Sequence, residues 1–136
     1  METNKSIRFA RPETMPPTFG YSHIVEVKNA RMLYISGQIA LDPNGQLVGE
    51  GDLAAQTRQV FENIRLALEA EGASFADVIK LTFFMVDISR MASVREIRDQ
   101  YINLSNPPAS SAVEVRRLIR DDLLIEVEAI AAAAMS

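Results

Sequence analysis

The segment Leu123 to Ala131 constrains this chain more than any other stretch. Side chains alternate between the faces of a strand, so Leu123, Ile125, Val127, Ala129 and Ala131 form one wholly apolar row, and Leu124, Glu126, Glu128 and Ile130 form the other. The first row must be covered by other elements of the chain. The run Val78 to Val86 is rich in β-branched and aromatic residues and reads as a buried central strand, yet its Lys80, Thr82, Phe84 and Val86 row again mixes polar with large apolar groups. The pattern calls for a sheet with helices on one face and a half-apolar second face that is buried against another subunit. An antiparallel sheet with one ordinary solvated face is the alternative that the same alternation allows.

The remaining segments supply the helices and the other strands. Asp52 is placed to cap a helix running to Glu71, with Val60, Phe61, Ile64, Ala67 and Leu68 on one stripe and Gly72 as its stop. Ser74 and Asp77 suggest a short turn. Ser89 caps a second helix in which Met91, Val94, Ile97 and Tyr101 fall at helical spacing, ended by Asn106-Pro107-Pro108. Upstream, residues 1 to 20 are polar and proline-rich except for a short strand around Ile7 to Phe9. His23, Val25 and Val27 then alternate with Ser22, Ile24, Glu26 and Lys28, and a tight turn at Lys28-Asn29-Ala30-Arg31 suggests a hairpin with Met32 to Ser36. Asp42-Pro43-Asn44-Gly45 has strong turn chemistry, with a short returning strand at Gln46 to Val48. Strands at Ser111 to Val115 and Leu123 to Ala131, joined by Arg116 to Asp122, close the chain. The expected fold is one α+β domain over residues 1–136, a mixed sheet with two helices on one face.

Composition removes several function classes. Fourteen Lys and Arg against eighteen Asp and Glu give a net charge of -4 without a basic cluster, so nucleic acid is an unfavoured partner. No cysteine is present and His23 is the single histidine, which excludes a disulfide scaffold, a thiolate metal site, a cysteine nucleophile and a Ser-His-Asp triad. His23, on the apolar parity of its strand, reads as a packed side chain. With no glycine-rich phosphate loop either, no metal or organic cofactor is expected. The N-terminal segment has charges and prolines where a signal peptide needs an apolar run, and AIAAAAMS is too short to span a bilayer, so a cytoplasmic protein with no membrane role is expected.

Ser36-Gly37-Gln38-Ile39, Leu41-Asp42-Pro43 with Gly45, Gln56-Thr57-Arg58-Gln59-Val60, Glu62-Asn63-Ile64, Glu71-Gly72-Ala73-Ser74 and Ile125 to Ala131 occur in an order and spacing that resembles the Rid family. These are the reactive-intermediate imine/enamine deaminases, also called YjgF or RidA-like proteins. The resemblance runs from about Tyr21 to Ala131. It implies the chorismate-mutase-like α+β fold and a homotrimer whose sheets form a central barrel, with small-molecule clefts between subunits. It also implies hydrolysis of a 2-imino or 2-enamino acid to ammonia and a 2-keto acid.

The resemblance assigns residues as well. Tyr21 corresponds to the cleft tyrosine, Ser36 and Gly37 to the Ser-Gly-Gln segment, Phe84 to an apolar wall and Glu128 to the acid that holds water. A partly buried glutamate of raised pKa suits that task, although a solvated or ion-paired strand glutamate is the plainer reading of Glu128 by itself. Tyr21 alone likewise reads as a strand-edge aromatic, Phe84 as core, and Ser36-Gly37 as a strand end where glycine relieves crowding. The family's Pro-Ala-Arg-Ser segment, whose arginine clamps the substrate carboxylate, here reads Pro108-Ala109-Ser110-Ser111. Ser110 can donate one hydrogen bond and no charge. Arg116 shares the parity of Ser110 but lies about 20 Å along the strand, and Ile119 stands where many members have proline. The expected function is a trimeric metabolite-binding protein with weak or absent deaminase activity. An active deaminase with a changed substrate anchor is the alternative, and a ribonuclease or translation inhibitor is the least supported by charge.

Overall fold

The computed structural model describes residues 4–135. Its strands are β1 (Ser6–Ala10), β2 (Ile24–Lys28), β3 (Arg31–Gln38), β4 (Val78–Met85), β5 (Ala109–Glu114) and β6 (Ile125–Ala133), and its helices are α1 (Leu53–Ala70) and α2 (Met91–Arg98). The main sheet has the order β3-β6-β4-β5. β6 runs antiparallel to both neighbours, whereas β5 lies parallel to β4 because the connection crosses over through α2.

The alternating rows sort as their chemistry requires. Leu123, Ile125, Val127, Ala129 and Ala131 are all buried, together with Val78, Leu81, Phe83 and Met85 of β4, under the apolar stripe of α1. That stripe comprises Leu53, Val60, Phe61, Ile64 and Leu68, with Ala67 half-buried at its edge. Asp52 caps α1 by accepting from the Ala55 amide at 3.0 Å, and Gly72 follows its end at φ +70°, where a side chain would be strained. The buried Gln56 ties α1 to the approach to β6. Its Nε2 donates to the Gly49 and Asp122 carbonyls at 3.1 and 2.9 Å, and its Oε1 accepts from the Leu124 amide at 2.8 Å.

Three local expectations give way to tertiary pairing. β2 and β3 do not form a hairpin ladder: β2 pairs with β1 in a separate two-stranded sheet, and β3 pairs with β6. The tight turn itself is present, with Asn29 at φ +55°, but it passes the chain from one sheet to the other. Second, Ser89 does not cap α2. It lies in a 3-10 turn, Ile88–Arg90, capped by Asp87, and Tyr101 falls beyond the helix, where its ring stacks on Phe61 at 5.1 Å. Third, Gln46 to Val48 contributes a single bridge, Leu41 to Leu47, because the Asp42 carboxylate closes a local turn onto the Asn44 and Gln46 amides.

Among the described residues, nothing covers the opposite sheet face. Met32, Tyr34 and Val113 are exposed there, Tyr34 to 76%, beside half-buried Thr82, Phe84, Glu126 and Ile130.

Candidate functional site

Two groups of residues form on opposite faces of the sheet. The first is built on the open face around a bulge. Tyr34 pairs with Ile130 and Ile35 with Ala129, but Gln38 pairs with Val127, so Ser36 and Gly37 together oppose Glu128. Ser36, Tyr34, Glu128 and Ile130 line a cavity of about 230 Å³. Gly37 leaves room for a close approach: a Cβ there would lie 2.0 Å from Glu126 Oε2 and 2.8 Å from its Cδ, so the Glu126 arm would have to swing aside. Phe84 stands in register with Glu126 on this face.

The Glu126 carboxyl is pushed up by burial and then by the Glu128 charge. Glu128 itself is exposed in the single chain. Two glutamates on one face, one of them with its carboxyl raised, can hold a water and pass a proton.

The second group gathers where the segment before β2 meets β5. The Ser22 amide donates to the Pro108 carbonyl at 3.1 Å and its buried hydroxyl to the Pro107 carbonyl at 2.7 Å. This bridge sets Tyr21 beside Ser110. Phe19, Tyr21, Met91, Arg95, Arg98 and Ser110 line the main walls of a cavity of about 320 Å³. His23 packs edge-on against Tyr21 with ring centroids 5.7 Å apart, and its Nε2 bonds to the Pro16 carbonyl at 2.7 Å.

Ser110 is in register with Leu81, and Glu128 with Thr82, so alternation sends their side chains to opposite faces. The structure thus brings Tyr21 to Ser110 and Ser36 to Glu128, while Gly37 also borders a third hollow with Asn63 and Pro43. Within one chain the two groups remain apart.

Sequence reasoning missed Glu126, Arg95 and Arg98. For the arginines a signal was present, because residues 91, 95 and 98 share a helical stripe that starts from the apolar Met91. Among the described residues, no three His, Asp or Glu side chains converge as a metal site needs.

A mixed sheet with two helices packed on one face defines an α+β fold. The family model described as "Endoribonuclease L-PSP" matches residues 12–133. The chain belongs to this family, which includes the YjgF, RidA and Rid proteins. It is 45% identical over 120 residues to a RutC family protein of Pyrococcus horikoshii, covering 88% of this chain and 92% of that protein. It is 38% identical over 121 residues to the 2-iminobutanoate/2-iminopropanoate deaminase of Salmonella typhimurium, covering 88% and 92%. The crystal structure of a Rid family protein, YyfB, of Yersinia pestis superposes with a TM-score of 0.82 at 39% identity, covering 93% of this chain and 98% of that one.

Proposed function

We propose that this chain is a cytoplasmic, homotrimeric, single-domain protein that binds a small metabolite in clefts between subunits, with weak or absent 2-imino acid deaminase activity. The observation that carries the reading is Ser110. It occupies the position at which the Rid resemblance places the carboxylate-clamping arginine, and a neutral hydroxyl replaces two parallel charge-assisted bonds with one ordinary one. Loss of such a clamp costs a few kcal/mol in binding, or about two to three decades in efficiency where it also aligns the substrate.

The trimer has support of a separate kind. Ser110 with Tyr21 and Ser36 with Glu128 face opposite ways in one chain, so a cleft that uses both groups needs a second copy. The bare, half-apolar sheet face is the surface that such a copy would cover.

The test is ammonia release from freshly generated 2-iminopropionate, alongside molar mass by light scattering. The wild-type chain is expected to have a trimer mass and a rate near background. Ser110→Arg should gain activity in part, and Ser110→Lys less, because lysine restores charge without the planar fork. A wild-type rate far above background that Glu128→Ala abolishes would overturn the reading. It would favour an active deaminase, the alternative supported by the similarity to the Salmonella deaminase.

A further inference from the structure

The cavity beside Ser110 contains cationic groups that its strand position lacks. Two arginines of α2 reach it, and they differ in state. Arg98 is 4% exposed, and its Nε and Nη2 donate to Asp99 Oδ1 at 2.9 and 2.8 Å. Its Nη2 packs so closely on Gly20 that a Cβ there would lie 2.2 Å away. Arg98 is thus a charge-balanced wall that holds the Gly20-Tyr21 segment in place. Arg95, one turn earlier on the same stripe, is exposed and has no ion pair or side-chain hydrogen bond among the described residues. None of the residues that line the cavity is acidic. The cavity therefore has one uncompensated positive charge, and it comes from the helix.

We propose that Arg95 is the anion anchor of this cavity, and that the ligand it selects is a small monocarboxylate with a short apolar tail. One net positive charge balances a monoanion rather than a phosphate dianion, and the guanidinium fork matches a carboxylate in geometry. Ser110 and Tyr21 offer hydroxyls beside it, while Phe19 and Met91 provide apolar wall for a few carbons. A volume of about 320 Å³ limits the ligand to metabolite size. The inference rests on the reading that this cavity is the ligand cleft, and adds the anchor and the ligand's charge. An anchor on α2 holds the carboxylate displaced from where a β5 arginine would hold it, which accords with binding without efficient turnover.

The experiment titrates the purified full-length protein with 2-oxobutanoate by calorimetry, and in parallel with its uncharged amide. Wild type should bind the acid saturably at millimolar concentration and bind the amide far more weakly. Arg95→Gln should weaken the acid about tenfold or more, in line with the loss of a charge-assisted bond, and Arg95→Lys should retain part of the affinity. Arg90→Gln removes the same charge at an exposed position outside this cavity and should leave binding unchanged. Equal binding by Arg95→Gln and wild type, equal binding of amide and acid, or no wild-type binding of the acid overturns the inference. Ammonia release tests the proposed function independently: active deamination with Arg95-dependent binding refutes weak activity alone, and binding indifferent to Arg95 refutes the anchor alone.

Discussion

Replacing Gly37 by alanine isolates the contact that shapes the open-face site. The added Cβ would lie 2.0 Å from Glu126 Oε2, 2.8 Å from Cδ and 3.0 Å from Cγ, so the whole carboxylate arm must rotate rather than only its tip. Gly37 lies outside the positive-φ region occupied by the other glycines, so alanine adds no backbone strain and the cost is steric. The obstructing atoms are the outer part of a flexible side chain on an open face, so the cost lies at the low end of the about 1–3 kcal/mol that overpacking takes in a core. At a urea dependence of about 2 kcal/mol per molar, a loss of about 1 kcal/mol lowers the midpoint by about 0.5 M. Urea unfolding should be followed at fixed protomer concentration, because the proposed assembly would add to apparent stability. The same substitution is then made in a Glu126→Ala background, where the obstructing arm is gone and the cost should fall below about 0.5 kcal/mol. An equal cost in both backgrounds would show that Gly37 is needed for something other than room for Glu126, and would refute the reasoning.

Two further outcomes follow from the titrating groups. The Glu126 carboxyl is raised by burial and by the Glu128 charge, so it favours the folded state when protonated; its contribution is full below the ordinary carboxylate value and is lost as pH rises through the raised one. Glu126→Gln should therefore raise the melting temperature at pH 7, with the gain vanishing near about pH 4; a gain of equal size at both pH values would contradict this. The Tyr101 hydroxyl donates to Glu62 at 2.9 Å and, as the leading cause, holds that carboxyl below its usual range. Its contribution is present above the ordinary carboxylate value and lost as pH falls. Tyr101→Phe, which keeps the ring on Phe61, should cost about 1 kcal/mol at neutral pH and less in acid, read by urea unfolding at the two pH values.

The sequence by itself determined whatever depends on neighbours a few residues apart. Asp52 caps the Ala55 amide, Gly72 takes the positive φ after α1, and the apolar row of β6 lies under the helices, because caps, turns and alternation are local geometry. The matched segments likewise identified the family, since their order along the chain is a one-dimensional property. Which strand lies beside which was decided by the tertiary structure. β2 joins β1 and not β3 although the turn at Asn29 would serve either arrangement, because a two-residue period specifies a face and not a partner. That the Glu126 carboxyl is raised depends on its burial and on the Glu128 charge beside it, which are set by how the strands pack. Arg95 became a candidate only when Ser22 bridged Pro107 and Pro108, and α2 was packed alongside. The charge at a site is a sum over all chain segments that reach it, so the residue at position 110 could report its own missing charge but not the one that faces it.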